Sequence, residues 1–404
     1  MKHLPRIMYW LLIVGIIFRA IETYLNQRDM ELIFTQAVFG WYFKVGYFGN
    51  ILLTVVSVYS FIAYNKYFPR FITASYLLLI ALVFICSLKD LSTMLQKPTM
   101  FYAIKGIGTY VNFGVLFFAC NVYYLERILK LFYYLCFVFI VGGLINLSAV
   151  GFGAGRGDML FALKDFAVYL IWVAPFFILQ EEENKTKNML NYALLFFTLL
   201  FVFFTGARSY LITFFIYFIV KFKTQLQSKN AIVTILGMVI LGVGAYFVLI
   251  NSSFGKNIED AFTILSNRSG EDSRSDQLID FWYQYNTDYL IQGVGPMAKW
   301  YWTTVGLYEY LDNQFLLLAW WAGLPTLLVY LYFLCMNLVI KSENSILGEI
   351  KGIKLIIGLW ILGCLGLSIY ITISTSLFYY FLSILIGLHT CKYSQVKNLE
   401  FEEA

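Results

Sequence analysis

Charge is scarce in this chain: only 13% of its 404 residues are Asp, Glu, Lys or Arg, about half the share of a soluble domain. Hydrophobic residues fill 60% of positions and the mean hydropathy is +0.72, which excludes a water-soluble globule. Histidine occurs only at His3 and His389, both expected on the inner side, so an outer-face reaction would have to take another residue as its base. Six prolines leave few broken spans, and neither a short repeat nor a relation between the two halves is visible, which argues against a transporter built by internal duplication. The six cysteines (Cys86, Cys120, Cys136, Cys335, Cys364 and Cys391) lie in or beside apolar runs without paired spacing, so neither a disulfide frame nor a zinc site is expected. No G-x-x-x-x-G-K-[ST] pattern occurs and the inner loops are too short for a nucleotide-binding domain, so ATP is not an expected energy source. No basic tract points to nucleic acid, and no cofactor is expected.

What the chain has instead is apolar runs of helix-spanning length. About 20 residues of helix cross roughly 30 Å of hydrocarbon, and windows of that kind recur at 7–23, 46–64, 71–88, 107–125, 129–150, 163–180, 188–205, 208–223, 231–250, 313–336, 353–371 and 374–390. A closed barrel would need short alternating segments, so the expected architecture is all-α: a polytopic bundle of about 12 spans, one integral membrane domain over residues 1–404. Lys2 and Arg6 before the first run mimic a secretory signal, but nothing marks a cleavage site, and the run is read as a retained span. With the N-terminus inside, 13 lysines fall in inner segments and seven in outer ones, so both termini are expected in the cytoplasm. That orientation turns 251–312, which holds nine of the 24 acidic residues, into a long extracytoplasmic loop between spans nine and ten.

Arginine runs against the lysine pattern. Arg6, Arg70 and Arg127 are expected inside, whereas Arg19, Arg28, Arg156, Arg208, Arg268 and Arg274 are expected outside. A planar guanidinium that stays charged at any accessible pH suits bidentate binding of phosphate, so an anionic ligand on the outer face would account for the asymmetry; snorkelling and solvated loop charge are the bland alternatives.

Three outer clusters follow. Arg208, after Thr205-Gly206-Ala207 and before Ser209, is expected in the first turn of a helix, where unpaired N–H groups favour anions. Arg274 is expected at the start of an amphipathic helix whose stripe runs through Leu278, Phe281, Trp282, Tyr285 and Tyr289 and stops at Gly293-Val294-Gly295-Pro296; Arg268 and Asp276 flank it. Asp312 and Asn313 are expected at the outer boundary of the tenth span, where a carboxylate near cations can accept a proton. The glycine-rich stretch around Arg156 follows a membrane run rather than a strand, so a dinucleotide site is excluded and a backbone nest for phosphate is the functional alternative to a flexible turn. Aromatics such as Trp282 and Tyr285 suit sugar rings and suit a lipid headgroup belt equally.

On these residues the chain resembles the O-antigen and capsule polymerases of the Wzy type, relatives of the O-antigen ligases. The likeness lies in Gly206-Ala207-Arg208-Ser209, in Arg274 followed by an aromatic helix and a Gly-x-Gly turn, and in Asp312-Asn313-Gln314-Phe315-Leu316 with Gly323 beyond. It implies a glycosyltransferase of the outer face of the bacterial inner membrane. Such an enzyme polymerises polyprenyl-pyrophosphate-linked oligosaccharide repeat units into O-antigen or capsule, without a metal and with inversion. Arg208 and Arg274 would stabilise the departing diphosphate and Asp312 would be the general base. Arg156, Asp276, Arg268, Asn313, Trp282 and Tyr285 would bind substrate, with Asp276 the second candidate for the base or a partner that orients Arg274. Membrane lipid, a chain-length regulator and a flippase are the implied partners. Histidine stands in the ligases where Asp312 stands here, which favours a polymerase over a ligase that transfers glycan to a lipid A core. A lipid-linked oligosaccharide flippase should carry charge inside its spans, and here the mid-span regions are nearly free of it.

Overall fold

A computed structural model describes residues 3–26, 45–102, 105–150, 156–180, 184–205, 208–226, 273–285, 287–304, 306–309, 311, 313–340, 352–367 and 377–393. The described chain is all-α apart from one short hairpin, and it gathers into two compact units, residues 1–132 with 272–404 and residues 133–271. Six of its helices are long and apolar enough to cross a membrane, which is the signature of a polytopic membrane protein.

The first unit opens with α1 (Leu4–Asn26), α2 (Val45–Tyr64) and α3 (Arg70–Ser87), the last prolonged by a 3-10 turn at Leu88–Asp90 and by α4 (Leu91–Gln96). α1 and α2 approach closely because glycine faces glycine: a Cβ on Gly15 would lie 2.8 Å from Leu53 Cγ, and one on Gly49 would lie 3.0 Å from the Gly15 carbonyl. The fourth expected span is shorter than its apolar run. α5 (Ile107–Val111) passes into a 3-10 segment over Asn112–Cys120, and α6 (Val122–Val150) starts at once, seven residues before the expected 129. Asn112 explains part of this. Its side chain is turned inward to polar partners on two other helices, and the last helix packs tightly along the 3-10 segment.

α6 runs on into the second unit, which adds α7 (Arg156–Leu179), α8 (Lys185–Phe204) and α9 (Arg208–Leu226). Asn184 caps α8 by accepting from the Thr186 and Lys187 amides at 2.9 and 3.3 Å. α8 ends at Thr205 and α9 starts at Arg208, so the seventh and eighth expected spans are separate helices. The expected ninth span at 231–250, and the loop that follows it as far as Asp272, lie outside the described residues.

The chain returns to the first unit with α10 (Ser273–Gln284), α11 (Thr287–Gln292) and a hairpin of β1 (Trp300–Trp302) and β2 (Gly306–Tyr308), paired Trp300 to Tyr308, Tyr301 to Leu307 and Trp302 to Gly306. The expected tenth span is two helices rather than one, α12 (Gln314–Ala322) and α13 (Leu324–Val339). Gly323 breaks it at φ +88°, a conformation that favours glycine, and Pro325 follows in the first turn of α13. α14 (Ile353–Leu362), with a π turn at Gly363–Leu367, and α15 (Leu377–Thr390) complete the unit. Cys120 and Cys391, expected as unpaired filler, come together with their sulfurs 2.7 Å apart, a proximity that their separation in sequence conceals.

The interior of this first unit is not uniformly apolar. Arg19, 1% exposed, pairs with Glu22 one turn further along α1, and the Glu22 carboxylate lies against Gly46 in the first turn of α2. Negative charge at a helix start is favourable, and a buried arginine needs such a partner. Nearby, the Tyr380 hydroxyl donates to Asn50 Oδ1 (2.7 Å) and accepts from Asn112 Nδ2 (3.1 Å). Thr54 Oγ1 donates to Asn112 Oδ1 (2.7 Å) and lies 3.1 Å from the Tyr102 hydroxyl.

Candidate functional site

The expected aromatic loop is a folded object. On α10, Phe281 is fully buried and meets the rings of Trp300 and Trp320 edge-on at 5.7 and 5.8 Å, with Tyr285 stacked at 5.1 Å. One turn along the same helix, Gln284 pairs with both backbone groups of Tyr301, accepting from its N–H at 2.8 Å and donating to its carbonyl. Asp280 accepts from the amide of Thr303 (3.1 Å) and from its hydroxyl, fixing the hairpin turn. The Tyr285 hydroxyl donates to the Lys299 carbonyl at 2.9 Å, and burial raises its pKa above the ordinary 10.0. The hairpin therefore presents Tyr301 and its cross-strand partner Leu307 outward, 55% and 72% exposed, on a rigid support.

Below the hairpin, residues 292–299 are strapped to the ends of other elements. The amides of Val294 and Gly295 donate to the Trp320 and Trp321 carbonyls (2.9 Å each), closing the C-terminal end of α12. This requires backbone against backbone: a Cβ on Gly293 would lie 2.7 Å from the Gly323 nitrogen, and both glycines hold positive φ. Three charged side chains hold the strap from outside. Lys89 donates to the Gln292 and Gly293 carbonyls, Asp90 accepts from the Met297 amide at 3.0 Å, and Lys105 donates to the Ala298 carbonyl at 2.8 Å. The Lys105 ammonium also sits 5.2 Å from the centre of the Trp320 ring, and the residue is only 6% exposed. Burial pulls its pKa down to about 8, Lys299 pushes the same way, and Glu309 and Asp90 oppose. Lys299 and Glu309 are themselves an ion pair across the base of the hairpin.

The sequence-expected residues fall as follows. Arg208 is the first residue of α9, Arg156 the first of α7 and Arg274 the second of α10. Asn313 is the N-cap of α12, its Oδ1 accepting from the Leu316 amide at 3.0 Å, so this oxygen closes the helix start. Asp276 is exposed in the first turn of α10, and its neighbour Gln277 is buried. Arg268 and Asp312 lie outside the described residues. The aromatic stripe is narrower than expected: Phe281 is buried and Leu278 and Tyr285 are half-buried, but Trp282 and Tyr289 point outward. Trp282 is one residue round from the Phe281 face, and the break between α10 and α11 shifts the phase of Tyr289. Arg274 and Asn313 belong to the first unit and Arg156 and Arg208 to the second.

Sequence reasoning missed Lys89, Asp90, Lys105 and the Arg19–Glu22 pair. Lysines counted only for topology carried the signal, as did two charges three residues apart within an apolar run. Among the described residues, no three of His, Cys, Asp and Glu gather as a cation site. No protein-family model matches this chain, and no curated protein matches it. What the site does is therefore argued from its residues and their geometry.

Proposed function

We propose that this protein is a polyprenyl-diphosphate-dependent glycosyltransferase that polymerises lipid-linked oligosaccharide repeat units on the outer face of the bacterial inner membrane. In this reading it has about 12 spans, both termini in the cytoplasm and the 251–312 loop outside. One observation carries it: Arg156, Arg208 and Arg274 each stand in the first two residues of a helix. Unpaired N–H groups and the helix dipole there add to a guanidinium that binds phosphate oxygens in pairs. As the glycosidic bond breaks, negative charge grows on the diphosphate, and preorganised cations stabilise that charge more than they stabilise the ground state. Asp312 takes the proton from the acceptor hydroxyl, and a single displacement inverts the anomeric centre. The outward Tyr301 and Trp282 offer flat faces to sugar rings.

A second reading, a flippase for the same lipid-linked glycans, draws on the buried Arg19 of α1, since intramembrane charge often marks a substrate path. Arg19 is paired with Glu22 of the same helix, and the Glu22 carboxylate lies against the first turn of α2, so the pair serves helix packing and the flippase ranks second. The deciding experiment incubates purified protein with lipid-linked repeat units. A ladder of lengthened glycan is expected from wild type and none from Asp312→Asn. If instead intact repeat units cross a vesicle membrane without lengthening, the transferase reading falls.

A further inference from the structure

Lys105 belongs to none of the residues assigned to the transfer, yet it is the most deeply buried of the three charges that hold the strap. Its ammonium reaches the Ala298 carbonyl on one side and the Trp320 ring on the other, so it ties the turn before α5 both to the 292–299 segment and to α12. The segment that leads to Asn313 is held by that tie together with the bonds from Lys89 and Asp90. The strap runs directly into β1, β2 returns to Glu309 and Leu311, and α12 begins after Asn313. The far end of α12 is closed by the same strap through Val294 and Gly295. Both ends of the helix that starts beside Asp312 are therefore set by one segment, and among the described residues the Lys105 ammonium is the one buried charge that bonds to it.

We infer that Lys105 is a positioning residue of the transfer proposed above: by holding the Ala298 carbonyl it sets the aromatic hairpin and the start of α12 against the outer ends of α3 and α5. This rests on the transferase reading. The residue acts through the backbone it holds and touches neither donor nor acceptor.

Protonation gives the role a readout of its own. The charged and titratable groups around the ammonium are Glu309, Lys299 and Asp90, and burial outweighs the two carboxylates, so its proton leaves near pH 8 rather than at the ordinary 10.5. A neutral amine donates a weaker hydrogen bond than an ammonium, so the strap loosens above that pH. Stability moves the other way. Between about 8 and 10.5 an unfolded lysine still binds the proton that the folded one has lost, so this group's contribution to stability rises with pH in that window. A fall in turnover there cannot be assigned to unfolding through this group.

The test measures kcat and KM for chain extension across roughly pH 6 to 10, with polyprenyl-diphosphate-linked repeat units as the probe, in wild type, Lys105→Arg and Lys105→Met. Amide exchange of residues 293–302 is followed in each protein at neutral pH. Wild-type kcat is expected to fall above the Lys105 pKa toward a plateau no lower than the kcat of Lys105→Met, with KM steady. Lys105→Arg, charged throughout, should remove that limb. Lys105→Met should lower kcat at least about tenfold with KM within about twofold, and speed exchange of 293–302 about tenfold. An active wild type in which Lys105→Met extends chains equally fast overturns the positioning role and leaves the transferase reading standing. Lost turnover with unchanged exchange in Lys105→Met makes Lys105 a substrate-touching group and also overturns it. A wild type that does not extend chains sinks the reading itself, and the inference with it.

Discussion

In the unit built from residues 1–132 and 272–404, buried charge is present and is held in place: Lys105 by the distant Ala298, and Arg19 by Glu22 on its own helix, the pair lying against α2. Among the described residues of the 133–271 unit, the buried Asn and Thr side chains are Asn146, Asn191, Thr198 and Thr205, and no charged side chain is buried with them. Two of these turn back on carbonyls of their own helix, as Thr198 does on Leu194. Asn191 reaches the Phe177 carbonyl in the last turn of α7, and Lys221 reaches Gln180 just beyond it. The contrast separates two ways of holding apolar helices. Side-chain packing with local polar closure leaves neighbouring helices tolerant of small shifts. Buried ions that need a named partner do not, because a slip leaves a charge uncompensated.

The largest effect that would break this contrast is expected at Arg19. Arg19→Ala strips a buried carboxylate of its cation and should destabilise the detergent-solubilised protein by about 3–5 kcal/mol. The double change Arg19→Met with Glu22→Leu should recover most of that loss in thermal unfolding. If the single change is silent, the pair is not the fastening it is taken to be.

Next come the helix-start arginines. Arg208→Ala and Arg274→Ala should each slow chain extension about 10²- to 10³-fold with membrane abundance unchanged. Arg274→Lys should recover little, since a point charge does not reproduce the fork. Normal glycan ladders from both alanine variants would refute a phosphate role for either residue.

Asn191 offers the neutral counterpart to Arg19. Asn191→Leu removes bonds to the Phe177 carbonyl and the Tyr133 hydroxyl and should cost about 1–3 kcal/mol, clearly less than Arg19→Ala. Equal losses at the two sites, read from the same melting curves, would erase the distinction between the units. Smallest of all, Asn184→Ala removes only the cap of α8 and should cost about 1 kcal/mol.

How much of this was legible beforehand depends on how local each feature is. The helices at 4–26, 45–64, 70–87, 185–204, 208–226 and 377–390 follow the expected apolar runs within a few residues. The helix-start positions of Arg208 and Arg274 were expected because their neighbours, Gly206 and Ser209 for Arg208, mark a boundary in sequence; Arg156 was read as part of a glycine turn before a span at 163, and the helix instead starts at Arg156 itself. Gly323 stood in the open as a residue, but nothing local said that Gly293 would press against it, 30 positions away in the chain. Lys105 was read as one outer lysine among seven because its acceptor, Ala298, offers only a backbone carbonyl, which every residue carries.

From sequence alone came the class of protein, the helical nature of its spans and the scarcity of polar groups that makes each remaining charge costly to bury. These depend on run length and composition, which a bilayer reads residue by residue. Tertiary structure decided the break in the tenth span, the burial of Arg19 and Lys105, and the strap that closes α12. Each is an encounter between segments distant in the chain, and its energy depends on a partner's position rather than on either residue's identity.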